Sequence, residues 1–253
     1  PSGGDRLRAL TGGSFERRRD LVARAGIQRR FGPLRAGIEH TWTHRTSLPG
    51  TVRERESEGL VDVIRSDRRL RRHETHVSLS ARRAAASLNA HYRHTWSFDD
   101  GELPLAIPAR AGDVGGEWAR SAGVPRHAAG MTASLALPFR VRMLISAETR
   151  SGTPYNILSG RDPDRLAAFT DRAGLPRNAG LLPPFGKLSV SASRTVRVPD
   201  VAWLAFDVGV RADNLTDRRN ITSMGHVLDT PAFGMPLDAM PRRSIRVWAA
   251  LAR

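Results

Sequence analysis

The stretch SLNAHYRHTWSF, residues 87–98, sets His91, Tyr92, Arg93, His94 and Trp96 close together, and shortly before it HETH holds His73 and His76. Clustered imidazoles could ligate a metal or move protons, because a neutral ring nitrogen is a good ligand and its pKa lies near neutrality. Both histidine pairs, however, are spaced by three. On a strand that spacing sends the two rings to opposite faces, so neither pair is expected to hold a metal. Ser, His and Asp occur elsewhere without a G-x-S-x-G elbow. The glycines of GELPLAIPARAGDVGGE (101–117) lack the Lys-Ser/Thr of a phosphate loop. The chain has no cysteine to serve as nucleophile or thiolate ligand. No catalytic residue, cofactor or metal is expected, and the chain does not read as an enzyme.

What positions those rings is a strand. Leu88, Ala90, Tyr92, His94 and Trp96 fall on one side, and Ser87, Asn89, His91, Arg93 and Thr95 on the other. Trp96 and Tyr92 suit a membrane boundary, where amphipathic rings collect, while His91 and Arg93 line water. The same period recurs along the chain. Leu21, Ala23, Ala25 and Ile27 alternate with Arg24, Gly26 and Gln28. Beyond a Gly32–Pro33 turn, Leu34, Ala36, Ile38 and Trp42 alternate with Arg35, Gly37, Glu39, Thr41 and Thr43. Further alternating segments cover 76–83, 131–137, 141–148, 188–193, 204–211 and 245–251, which predicts about nine strands of roughly ten residues. Short turns separate some of them and long polar segments the rest. The charged stretch 46–72, with RERESEGL and RSDRRLRR, is expected to be a loop. So are 99–126, with Asp100, Glu102, Asp113, Glu117 and Trp118, then 151–185, and some thirty residues before the last strand.

Charge and composition narrow the classes. The formal net charge over 253 residues is +15, and Lys187 is the only lysine among 40 basic residues. A basic face attracts polyanions and arginine pairs well with phosphate, so a soluble basic β protein binding nucleic acid is the alternative reading. Against it, the arginines are spread through the chain and not gathered in a patch. Trp42, Trp96 and Phe206 also fall on the apolar side, away from most strand arginines, where they could not interleave with them for base stacking. No nucleic acid is expected as a partner. The longest apolar run, VAWLAF at 201–206, is far short of the ~18 residues of a spanning helix. The opening PSGGDRLRAL shows no signal peptide.

A spanning strand announces itself by alternation and not by a run. Long strands with short turns on one side and long loops on the other are the layout of an all-β, antiparallel transmembrane β-barrel of the outer membrane. Its lipid face would carry Leu, Val, Ile, Ala and Met. Its lumen would receive Arg24, Arg35, Glu39, Arg82, His91, Arg93, Arg142, Glu148, Asp207 and Arg211. An open sheet edge in lipid leaves backbone groups unpaired at several kcal/mol apiece. Nine or ten strands are few for closure, so an incomplete barrel is expected.

A series of short motifs sharpens this. SGTPYNILSGRDPD supplies Ser151, Gly152, Pro154 and Tyr155, then Gly160, Arg161 and Asp162. Asp171 with Arg172, Arg177 with Asn178, the strand KLSVSASRTV, Asn214 with Leu215, and Pro241 with Arg242 follow in that order. In order and spacing these resemble the C-terminal half of TonB-dependent receptor-like outer-membrane barrels, particularly the Oar-like branch that carries a carboxypeptidase-regulatory-like domain. The resemblance is strong from about His73 onward. It implies that residues 1–253 form the C-terminal part of such a barrel, with the plug and N-terminal domain outside this chain. It also implies a receptor or transporter in the cell outer membrane of a Gram-negative-type bacterium. The implied partners are outer-membrane lipid, the outer-membrane assembly machinery and an unknown solute, with TonB a partner only where an N-terminal plug exists. Two positions depart from the family. Pro163, Arg165 and Leu166 stand where members often alternate Asp and Asn, so no calcium site is expected. The last residue is Arg253, where the family normally ends in the Phe read by the assembly machinery.

Overall fold

The computed structural model describes residues 8–10, 16–56, 59–101, 107–110, 112–163, 165, 170–197, 199 and 204–251. Glu102, Leu166 and Arg253 lie outside them. Among the described residues every element is a strand except two 3-10 turns, Gly115–Glu117 and Pro138–Arg140. In chain order the strands are β1 (Arg8–Leu10), β2 (Arg19–Phe31), β3 (Leu34–Glu56), β4 (Gly59–Arg83), β5 (Ala86–Asp99), β6 (Ala119–Arg120), β7 (His127–Leu137), β8 (Val141–Arg150), β9 (Pro154–Tyr155), β10 (Gly180–Leu181), β11 (Phe185–Arg197), β12 (Ala205–Asp213), β13 (Ile221–Met224), β14 (Pro236–Ala239) and β15 (Ser244–Leu251). The nine long ones form one antiparallel path, β15-β12-β11-β8-β7-β5-β4-β3-β2, with β6 added to β5 and β1 lying parallel to β4. β2 and β15 are its edges, so the sheet is open. The pairs β9–β10 and β13–β14 sit within the long connections.

One end of the sheet carries tight turns. Phe31 pairs with Leu34 across Gly32 and Pro33, and Gly32 takes φ 57° there, which a residue with a Cβ rarely adopts. Arg83 pairs with Ala86, and Leu137 with Val141, across similarly short links. The opposite end carries the long connections 100–126, 151–184 and 214–243.

Register decides which residues share a side. Ile27, Ile38, Val77 and Tyr92 stand opposite one another across four strands, as do Ala133, Ile145, Val190 and Ala212 across another four. This apolar side lies open: Ile38 is 47% exposed and Val247 79%. Fully burying one such side chain is worth roughly 1.5–3 kcal/mol. A row of them left in water would forgo as much as the whole net stability of an ordinary domain, about 5–15 kcal/mol. That side requires an apolar phase against it. On the other side Ser78 faces Gly37 and His91, Ser134 faces Ser87, and Ser146 lies between Thr132 and Ser189. Leu144, opposite Ser134 and Ser191, is an apolar exception there.

The described residues of the stretch 46–72, expected as a loop, are instead strand. β3 runs for 23 residues and β4 for 25, where a tilted spanning strand needs about 9–11. The two therefore continue as a hairpin beyond the rest of the sheet. Their charges pair across the strands: Arg53 lies opposite Asp62 with Nε donating to Oδ1 at 2.6 Å, and Arg65 reaches Glu54 at 2.5 Å. Along this hairpin Leu48, Val52, Leu60 and Leu70 are buried. The buried apolar side chains among the described residues, these with Val61, Ala119 and Phe185, all belong to the loop end. The water-excluding core thus lies in a cap made by the hairpin and long connections, not within the sheet.

Candidate functional site

The cap is wired by charge. Asp99 and Asp100 end β5 and turn the chain. Asp99 accepts from the Gly101 backbone N–H at 2.9 Å, and Asp100 accepts from Arg69 through its backbone N–H at 2.6 Å and its Nε at 3.2 Å. Burial pushes the Asp100 carboxyl above the usual range despite those bonds. Glu117, brought in by the 3-10 turn, is buried and accepts both arms of Arg172, at 3.0 and 2.5 Å. Arg177 donates through Nε to the Glu117 carbonyl at 2.7 Å, and through Nη2 to the Asp99 carboxylate at 2.5 Å and to the Asp99 carbonyl. Asn178, at φ 59°, donates its amide to the Arg120 carbonyl at 2.7 Å, while its backbone N–H reaches Asn156 Oδ1 at 2.7 Å. Arg172 and the dipeptide Arg177–Asn178 therefore bolt connection 151–184 onto connection 100–126, while Asp171 works within its own connection, accepting from the Ala173 and Ser159 N–H groups. Buried guanidinium–carboxylate pairs of this kind hold only because each charge is hydrogen-bonded.

The remaining motif residues join the same construction or a second one beside it. Ser151 donates its backbone N–H to the His127 carbonyl at 2.9 Å and accepts from the His127 N–H through Oγ at 3.1 Å. Gly152 lies against Leu182 so closely that a Cβ would come within 1.7 Å of its carbonyl oxygen, so only glycine fits. Pro154 and Tyr155 form β9. Gly160 turns at φ 74°, Arg161 reaches Asp229 at 3.5 Å, and Asp162 adds to the field at Arg53. In the second cluster Asn214, at φ 51° and 3% exposed, donates to the Arg218 carbonyl at 2.9 Å and the Pro241 carbonyl at 3.4 Å, and Leu215 donates to the Leu188 carbonyl at 2.7 Å. Asp217 then accepts from the Arg243 backbone at 3.0 Å and from both arms of Arg242 at 3.2 and 2.8 Å. The Arg243 N–H and the Arg242 guanidinium hold the Asp217 carboxyl below its ordinary range.

On the sheet, the register sets Arg24, Arg35, Glu39, Arg82, His91, Arg93, Arg142, Glu148, Asp207 and Arg211 on one side, the serine-bearing one. Arg24 approaches Glu39 at 3.5 Å, Thr195 donates to Asp207 at 2.5 Å, and Arg211 grips Asp213 at 2.9 and 3.0 Å. The histidines divide as their spacing predicts, His76 and His91 on this side and His73 and His94 on the other. Sequence reasoning missed their cross-strand partners. His76 meets His91 at 6.1 Å between ring centroids, His40 meets His73 at 5.7 Å, and His94 meets His127 at 5.2 Å. With Trp42, Tyr92, Trp96 and Phe98, the outer histidines form a belt where the apolar side meets the cap. Among the described residues no three His, Asp or Glu side chains gather as a metal site.

Inside the cap lies a cavity of about 500 Å³. Asp100, Glu117, Arg172 and Arg177 line it together with Arg68, which the sequence hides among like neighbours in RSDRRLRR. Arg68 is 1% exposed. Its side chain lies over Gly50, where a Cβ would come within 2.2 Å of Nε.

No protein-family model matches the chain, and no curated protein matches it in sequence. Solved structures do match in three dimensions. The outer membrane transporter YddB from Escherichia coli superposes with TM-score 0.65 over 97% of this chain and 34% of its own, at 8% identity. The FrpB iron transporter from Neisseria meningitidis gives 0.60 over 94% and 32%, at 14% identity. The siderophore receptor PiuA from Acinetobacter baumannii gives 0.57 over 91% and 28%, at 13% identity. The chain has the fold of part of an outer-membrane β-barrel wall. It spans about a third of the length of these structures, and the identities are low enough that the likeness speaks for fold alone. In a barrel wall the sides separated above take on meaning: one faces acyl chains, the other an interior.

Proposed function

We propose that the chain is the C-terminal part of a TonB-dependent receptor-like barrel in the outer membrane, and that it contributes wall, lumen surface and exterior loops to the passage or uptake of a solute. One observation carries this: a wall of nine antiparallel strands with an uncovered apolar side and a polar, arginine-rich side. In lipid the first side is satisfied and the second lines water. The long connections then face outward, as in outer-membrane barrels generally, and the cap stands over the lumen mouth. Arginines on the lumen side favour anionic solutes by field alone. Coupling to TonB would require a plug from elsewhere in the intact protein. The role is binding and passage, not catalysis.

The test is expression of the intact protein in a Gram-negative host, followed by fractionation. The proposal expects it in the outer membrane, extracted only by detergent, with a gel mobility that changes on boiling. A monodisperse protein in plain buffer with salt-sensitive affinity for DNA would return the reading to the soluble nucleic-acid binder.

A further inference from the structure

We propose that the tight-turn end of the wall carries a docking surface for anionic phospholipid headgroups, made by Arg29, Arg83 and Arg194 on the apolar side with Phe139 and Arg140 at the tip of the β7–β8 turn; this rests on reading the chain as a membrane-spanning wall. Charge is divided unevenly between the two ends of the sheet. Segments 28–37, 78–89, 134–144 and 191–197, which make up the tight-turn end, hold nine arginines and no Asp or Glu. Asp200, in the turn after the last of them, lies outside the described residues. Among the described residues none of the nine forms an ion pair. Arg30 and Arg35 even stand directly opposite each other, a like-charge pairing that is destabilising until an anion lies nearby.

Register says which of these arginines meet the bilayer. Arg29 stands opposite Ala36, Arg83 opposite Ala86 and Arg194 opposite Val141. All three therefore share the side of Ile38 and Ile145, and all three are exposed. Arg83 is the last residue of β4, Arg29 lies two residues from the end of β2 and Arg194 three from the end of β11, so together they trace one border of the apolar band. His73, in the ring belt at the other border, precedes Arg83 by ten residues on β4, the length of one tilted crossing. An arginine at such a border lays its stem on apolar surface and sends its head to the phosphates, and Arg29 places Cζ 5.2 Å from the centroid of the Phe31 ring. Phe139 and Arg140 take φ 59° and 58°, where Asn or Gly usually stand, and the Phe139 ring is 79% exposed. An apolar ring beside a cation is the combination that seats protein at a headgroup layer. The planar guanidinium fits phosphate oxygens. With no carboxylate along this border among the described residues, a lipid whose phosphate is not balanced by an amine is the favoured neighbour.

The experiment places the intact protein in phosphatidylcholine vesicles and compares, by electron spin resonance, how traces of spin-labelled phosphatidylglycerol and spin-labelled phosphatidylcholine enter the motionally restricted lipid shell. Phosphatidylglycerol is expected to be preferred about fivefold, and the preference should shrink as salt is raised. The triple variant Arg29→Gln, Arg83→Gln, Arg194→Gln should bring the ratio to within about twofold of unity. The corresponding triple Lys variant, which keeps the charge, should retain most of the preference. Arg71→Gln, on the same side at the cap end, and Arg30→Gln, at the turn end but on the lumen side, should leave it unchanged. Boiling-dependent gel mobility reports folding of each variant; should the triple Gln variant misfold, Arg83→Gln alone, expected to lose part of the preference, and the salt series decide. An inserted barrel that shows no preference, keeps it after the outward arginines are replaced, or loses it through Arg71→Gln or Arg30→Gln alone overturns this surface and leaves the barrel standing. Failure to insert at all overturns the barrel instead.

Discussion

At the scale of single residues, the motifs that drew attention in the sequence act as fasteners. Arg172 and Arg177 carry charge into a buried place because Glu117 and Asp99 meet them there. Removing one partner strands the other. Glu117→Ala should cost about 3–5 kcal/mol, the range for breaking a buried pair, and faster amide exchange across 112–120 would register it. Asp217 makes a different prediction. Its folded pKa is depressed below 3.8 by Arg243 and Arg242. Its contribution to stability is therefore present above that value and disappears as pH falls through the lower, folded one. Asp217→Asn should melt earlier than the parent at neutral pH, and the two curves should converge in acid once the pH has fallen through the lowered, folded pKa. Curves separated equally at both pH values would show that the carboxylate charge is irrelevant there.

At the scale of elements, strict alternation made the sheet legible in advance. In β8, Val141, Met143, Ile145 and Ala147 mark one side with few interruptions, and the observed pairing of Ile145 with Ala133 and Val190 follows from it. Ile145→Arg should impair insertion into phosphatidylcholine vesicles by about 2–4 kcal/mol, the range for a cation near the bilayer midplane. Its neighbour Ser146→Arg should be tolerated, and equal penalties would mean the two sides had been confused. The hairpin beyond residue 46 was not legible. Charge there reads as solvated loop, but Arg53–Asp62 and Arg65–Glu54 cancel across the strands, which no single-strand pattern reveals. Register shifts between Arg45, Leu48 and Gly50 also break the period at the very place where Arg68 comes to rest on Gly50. The motif residues of the cap were visible as motifs, but their joining into one network depends on contacts across tens of residues, such as Arg177 with Asp99. Local spacing carries no record of those.

At the scale of the whole molecule, two kinds of cohesion coexist. The wall leaves one apolar side uncovered, a side that a hydrocarbon surround would satisfy. The cap folds like an ordinary aqueous protein, around Leu48, Val52, Leu60 and Leu70 with carboxylates and guanidiniums between them. Acidification from neutral to about pH 3, which protonates carboxylates, should loosen the cap first, and exchange of a mild detergent for a harsh one should loosen the wall first. Amide exchange monitored separately over 48–70 and 128–150 would tell these apart, and simultaneous loss under both treatments would contradict the division. Such a chain answers to two solvents at once. The rim can loosen while the staves beneath it stay put, because what glues one does not glue the other.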